Sequence, residues 1–211
     1  MNRTGIQLVC FDLGGVLVEL SNGWPDACVR AGIPVPASDP GGWEKHLALL
    51  QQFELGEIDE ETYIGALPAC LPGIPVPHVL RAFDAFILGV LPGIPELIEE
   101  LIRRRIRTAI LSNTNHRHWR AVVRDDPQYA PLLRIDQLFA SHELGAAKPD
   151  LRAYRAVESA ARIPASSILF FDDRDENIQG ARAAGWNAEK IEPAATSAQQ
   201  IRAHLARYRV L

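Results

Sequence analysis

The sequence predicts an α/β fold, a three-layer sandwich on a mostly parallel sheet, with a helical segment inserted after the first strand. Two observations predict it. Short apolar runs at 6–11, 107–111, 137–140 and 167–171 are separated by stretches of helical periodicity. Strands that are apolar throughout, without alternation, are those of a parallel sheet covered by helices on both faces. The residues between the first run and Leu91 show instead only helical periodicity, broken by Pro/Gly-rich connectors.

In chain order, the run 6–11 stops at Asp12 and a Gly14-Gly15 turn. Helical patterns follow near 23–31, 43–54, 59–70 and 77–88, with connectors at 32–36, 39–42 and 71–75. An insertion at this point would lie over the carboxyl ends of the strands, where open α/β sheets bind ligands. Residues 21–89 are therefore a candidate cap on a core of residues 1–20 and 90–211. In that core, 95–104 carries Leu97, Ile98, Leu101 and Ile102 at helical spacing. The helix expected at 149–161 opens with a proline in its first turn. Further helices are expected at 177–184 and 196–208.

At 211 residues the chain could bury roughly 70% of its unfolded surface, enough for one substantial core and a modest insertion. It is 47% hydrophobic and 23% charged, with a net charge of −4 and a pI near 5.9. That balance gives no electrostatic reason for nucleic-acid binding and favours a small-molecule partner. Cys10, Cys28 and Cys70 are odd in number and widely spaced, with no CxxC pattern, and read as reduced core residues. No segment approaches the ~20 apolar residues needed to span a membrane, and a cytoplasmic location is expected. Nothing in the composition sets an oligomeric state.

Four segments carry chemistry-bearing groups at strand ends. In Phe11-Asp12-Leu13-Gly14-Gly15 a carboxylate leaves a buried strand beside two glycines, a place for a nucleophile or metal ligand, or for a turn cap. In Leu111-Ser112-Asn113-Thr114-Asn115 the hydroxyl of Ser112 could donate to a phosphate, although these residue types also cap helices. Lys148, in Ala147-Lys148-Pro149-Asp150, is suited to neutralising carboxylate and phosphoryl charge, or to solvation. Phe171-Asp172-Asp173 presents paired hard oxygen ligands of the kind magnesium takes, while Asp173 with Glu176 also fits a capping box. One shared site explains the four together better than four separate bland roles.

Asp12, Ser112, Lys148 and Asp172-Asp173 resemble the four sequential motifs of the haloacid dehalogenase-like superfamily, over about residues 7 to 190. The resemblance implies a Rossmann-like core and a magnesium-dependent hydrolase acting on a small phosphate ester. It implies that Asp12 attacks phosphorus, that Ser112, Asn113 and Lys148 bind the phosphoryl group, and that Lys148 also serves catalysis. The metal ligands it implies are Asp12, the Gly14 carbonyl, Asp173 foremost, and Asp172, with Asn177 in support.

Phosphatases of this superfamily usually carry a second Asp at the position of Gly14, as general acid and base. Such help is worth about 10²–10⁴-fold. Either another group substitutes, with Glu19, His116 and His118 as candidates, or the substrate leaves easily, or turnover is lost. The Asp-Leu-Gly opening, Phe53-Glu54-Leu55-Gly56-Glu57-Ile58 and Ser112-Asn113-Thr114-Asn115 are similar to the α-D-glucose-1-phosphate phosphatase-like branch. A sugar 1-phosphate, which releases a hemiacetal oxygen, is the implied substrate. Two alternatives stand beside it: hydrolytic dehalogenation at carbon, and a phosphate-binding or regulatory protein without turnover. Trp24, Trp43, His46 and Phe53 are expected to line a specificity pocket or to form the core of the insertion.

Overall fold

The computed structural model describes residues 5–35, 40–71, 74–192 and 196–211. Pro36, Asp39, Pro72 and Gly73, expected in connectors, lie outside the described residues. The chain runs β1 (Leu8–Phe11), β2 (Val18–Leu20), α1 (Gly23–Arg30), α2 (Pro40–Glu54), α3 (Glu60–Cys70), α4 (Val76–Asp84) and β3 (Ile87–Val90). It continues through α5 (Ile94–Arg103), β4 (Arg107–Ser112), α6 (His116–Arg120), β5 (Gln137–Ala140), α7 (Ser141–Leu144) and α8 (Leu151–Ala161). The last elements are β6 (Ile168–Asp172), α9 (Asp175–Ala183), β7 (Asn187–Lys190) and α10 (Ser197–Arg207).

The central sheet is parallel, in the order β5-β4-β1-β6-β7. Its strands alternate between two apolar layers. Val9, Phe11, Ile110, Leu169 and Phe171 pack with Leu97 of α5 and with Ile201 and Leu205 of α10. Leu8, Cys10, Ala109, Leu111 and Phe170 pack with Tyr154 and Val157 of α8 and with Ile178 of α9. Burial on both faces is the physical reason these strands read as unbroken apolar runs. The register sets Phe11 beside Ile110 and Phe171, so Asp12 stands level with Asp172 at the carboxyl edge. Here the strand order reverses about β1, the place where such sheets bind ligands.

The insertion is not wholly helical. Val18–Leu20 and Ile87–Val90 pair as an antiparallel ribbon, and the helix expected over 77–88 stops at Asp84. The hydroxyl of Ser21 donates to the Ala85 carbonyl at 2.6 Å, and Leu91 N–H donates to Leu17 O at 2.9 Å, so entry and exit run side by side. Helices α2 to α4 enclose a separate apolar cluster around Phe53, Tyr63, Leu67, Val79 and Phe83. Strand β7 (Asn-Ala-Glu-Lys) also escaped the sequence patterns, because as an edge strand it buries only Ala188 fully. Helix α8 begins two residues later than expected, with Asp150 as cap accepting from Arg152 N–H at 2.8 Å. The three cysteines are free and buried. Among the described residues no helix is long and apolar enough to cross a membrane.

Leu97 is fully buried between α5 and the sheet. Leu97→Ala is expected to cost about 2–5 kcal/mol in urea unfolding. Removing the cap by Asp150→Ala should cost only about 1 kcal/mol.

Candidate active site

The strand ends bring together one cation and three carboxylates. The amine of Lys148, with no exposed side-chain surface, lies 2.7 Å from Asp12 Oδ1 and 2.7 Å from Asp172 Oδ2. Burial disfavours its charge, but the two carboxylates outweigh that and hold its pKa above the ordinary lysine value. Burial likewise pushes Asp12 up, against the pull of the Lys148 ammonium. Asp173, half-buried, is raised by burial and by the neighbouring Asp172 charge. Asp12, Asp172 and Asp173 each offer an oxygen, all within 4.8 Å of one another.

Asp172 is the most heavily bonded of the three. Its Oδ1 accepts from Arg174 N–H at 2.9 Å and from Asn177 Nδ2 at 3.0 Å, and its Oδ2 accepts from Lys148. The capping box that Asp173 and Glu176 fit as an alternative does not form: Arg174 caps α9 without a side-chain bond, and Glu176 pairs with Arg174 instead. Asp173 therefore keeps its carboxylate out of the helix cap.

Ser112 ends β4, 3% exposed, at the sheet edge. Both ends of the Asn113 side-chain amide are taken by the Lys148 backbone: Nδ2 donates to Lys148 O at 2.7 Å and Oδ1 accepts from Lys148 N–H at 2.8 Å. Asn113, expected to touch substrate, thus holds the lysine segment against the end of β4. Asn115 fulfils the capping alternative, accepting from His118 N–H at 3.0 Å.

After Asp12 the chain turns tightly, with Gly15 at φ +75°, where a side chain would be strained. A Cβ at Gly14 would meet Leu20 Cδ1 at 2.7 Å, so the leucine occupies the space over the position where an acid was expected. Glu19 is exposed on β2. His116 is largely exposed and approaches Glu60 at 3.8 Å. His118 donates from Nε2 to the Phe83 carbonyl at 2.8 Å and stacks on the Phe83 ring. Of these three candidates, only His118 lines the cavity described next.

A cavity of about 340 Å³ opens between the helices of the insertion and the sheet edge. The core contributes Leu13, Gly14, Ser112 and Asn113, and the opposite wall carries Trp24, Trp43, His46, Phe83 and Phe86. Of the four residues expected to line a pocket or to form the core of the insertion, Phe53 takes the core role, buried against Tyr63. His46 bonds through Nε2 to the Tyr63 hydroxyl at 2.8 Å, and burial pushes its pKa down to about 4, so it is neutral. Glu54 also lines the cavity; it belongs to the segment 53–58 that carries part of the resemblance, but not to the candidate acids.

Residues 6–185 match the description of a haloacid dehalogenase-like hydrolase. The chain belongs to that family. Phosphatase MT3486 of Mycobacterium tuberculosis is 33% identical over 196 residues, 89% of this chain and 88% of that protein. Among solved structures, the family enzyme bt-2542 of Bacteroides thetaiotaomicron, in complex with magnesium and inorganic phosphate, superposes with a TM-score of 0.73 at 22% identity. The match covers 90% of this chain and 96% of that one. The L-2-haloacid dehalogenase of Xanthobacter autotrophicus with chloropropionic acid covalently bound gives 0.61 at 20% identity, over 96% and 83%. At these identities the structural likenesses establish the fold.

Lys148→Met leaves the three carboxylates without their buried cation. With a chelator present, urea unfolding at pH 7.5 should show a loss of roughly 3–5 kcal/mol. Asp12 and Asp173 are pushed up by burial and pulled down by the ammonium, so without it their folded-state pKa values lie further above the unfolded ones. The penalty is therefore full above that range and shrinks as pH falls through it. A loss at pH 5.5 as large as that at pH 7.5 would contradict this account.

Proposed function

We propose that this hydrolase is a magnesium-dependent phosphatase that cleaves a small phosphorylated metabolite through a phosphate ester on Asp12. The observation that carries the reading is the Lys148 amine held at 2.7 Å from both Asp12 and Asp172, at the sheet edge whose Leu13, Gly14 and Ser112 line the cavity. Three carboxylates around one ammonium leave an excess of negative charge on hard oxygen donors, a set that fits magnesium. Asp12, the Gly14 carbonyl and Asp173 would hold the ion. Asp172, already bonded to Lys148, Asn177 and Arg174, takes the lesser share. The bound ion would neutralise charge on the transferring phosphoryl group.

In this mechanism Asp12 Oδ attacks phosphorus, with Lys148 keeping the carboxylate oriented and offsetting charge as the ester forms. The Ser112 hydroxyl donates to a phosphoryl oxygen, and Asn113 acts one step back by fixing the backbone of Lys148. Residues 21–89 serve as a cap that encloses the substrate. The name of the Mycobacterium tuberculosis relative and the magnesium–phosphate complex of bt-2542 support the reading. A sugar 1-phosphate is the preferred substrate class, because its hemiacetal oxygen leaves more readily than a simple alcohol. Free buried cysteines suit a cytoplasmic setting. Hydrolysis at carbon, as in the dehalogenase neighbours, gives no role to Asp173 beside Asp172.

Phosphate release should be screened over sugar phosphates, nucleotides and acyl phosphates. We expect magnesium-dependent turnover that falls on the order of 10³-fold or more in Asp12→Asn, with glucose 1-phosphate ahead of simple alkyl phosphates. Hydrolytic activity that survives full chelation would favour the carbon-centred chemistry. Equal turnover of alkyl and sugar phosphates would remove the leaving-group preference.

A further inference from the structure

Glu54 is a carboxyl in the cavity that the mechanism above does not use. It is the last residue of α2, and its position is set by the main chain. The Ser141 hydroxyl donates to the Glu54 carbonyl at 2.5 Å and accepts from Thr114 N–H at 3.0 Å, tying the end of α2 to the loop that follows Ser112. Two residues on, a Cβ at Gly56 would lie 2.2 Å from the His142 carbonyl oxygen, so the elbow after α2 is pressed onto α7.

The Glu54 side chain has no hydrogen-bond or ion-pair partner among the described residues, and it shares the cavity with Gly14 and Ser112. The charged and titratable groups near it are Arg174, next to Asp173, and the phenol of Tyr63. Burial outweighs the pull of Arg174 and pushes the carboxyl up to about 7, where protonated and ionised forms coexist near neutrality.

We infer that Glu54 is the catalytic acid and base of this phosphatase, supplying from the helical insertion the proton transfers for which Gly14 has no side chain. The inference rests on the phosphatase reading. As Asp12 Oδ bonds to phosphorus and the bond from phosphorus to the leaving oxygen breaks, the Glu54 carboxyl gives that oxygen its proton, and the alcohol departs. Water then attacks the phosphorus of the Asp12 ester and passes a proton to the Glu54 carboxylate. The bond from phosphorus to Asp12 breaks, restoring the aspartate and releasing phosphate. Of the other candidates, Glu19 is exposed and His116 faces Glu60, while His118 lines the cavity but spends Nε2 on the Phe83 carbonyl and has Nδ1 at 3.4 Å from the Asn115 amide.

The test separates the two half-reactions. p-Nitrophenyl phosphate releases an anion that needs no proton, whereas glucose 1-phosphate releases an alcohol. In Glu54→Gln, the first turnover of p-nitrophenyl phosphate should stay within about threefold of wild type, while steady-state turnover falls about 10²–10⁴-fold. A burst near one nitrophenolate per enzyme should appear, with phosphate trapped on Asp12 after acid quench. With glucose 1-phosphate the first turnover itself should be slowed. Glu54→Asp should show the same partition with a smaller loss, which keeps the test decisive if the Gln variant fails to fold. Wild-type rates in both half-reactions, or equal slowing of the first turnover on both substrates, would overturn the inference and leave the phosphatase reading standing. Absence of Asp12-dependent turnover in the wild-type protein would overturn both.

Discussion

A fully buried ammonium between two carboxylates is the constraint around which this molecule is arranged. Taking Lys148 out of water is unfavourable by several kcal/mol unless its charge is matched at close range. The matching requires Asp12 and Asp172 to stand level at the ends of adjacent strands, which the parallel register of β1 and β6 ensures. It also requires the lysine backbone to stay fixed, and the paired bonds from Asn113 across to Lys148 do that from the end of β4. Three strand ends are thereby locked into one site, and the apolar layers on both sheet faces hold them there.

Most of this was legible because the physics is local to each strand. Runs buried on both faces are apolar throughout, so 6–11, 107–111 and 167–171 stand out, and each ends where its polar functional residue begins. What escaped was either polar or dependent on distant pairing. Asn187–Lys190 is an edge strand with three half-buried residues, indistinguishable by pattern from a loop. Ile87–Val90 is a strand only because Val18–Leu20 lies beside it, and in isolation its apolar residues continue the helical pattern of α4. The Asp173/Glu176 pair fits a capping box by spacing, but Asp172 accepts from Arg174 N–H and Glu176 turns to Arg174. Asn113 shows a related limit in the site: the resemblance implied a ligand contact, and only the fold reveals that both ends of its amide also bond the Lys148 backbone.

The departure at Gly14 looks different once its surroundings are known. Leu20, on the ribbon into the insertion, places the end of its side chain where a side chain at position 14 would begin. Sequence patterns point to substitutes near the motifs, at Glu19, His116 and His118, because proximity in sequence is all they measure. Glu54 lies far along the chain from the four strand-end motifs, within the segment 53–58 of the insertion, and reaches the site because α2 ends against α7.

This placement makes the proton chemistry depend on docking of the insertion. Arg117 of α6 joins Glu60 of α3 at 2.6 Å and Asp84 of α4 at 2.5 Å, and His118 bonds to Phe83 beside them. Partly exposed ion pairs contribute little singly, whereas the close contact of the α2 end with α7, through the Ser141 clamp and Gly56, fixes Glu54 directly. The same contact also tunes the acid. Glu54 is raised because the docked helices partly bury it, and a carboxyl returned fully to solvent would be ionised near neutrality and unable to donate. The burial that sets Glu54 over the cavity is therefore also what keeps a proton available there, while the buried lysine keeps Asp12 oriented beneath it.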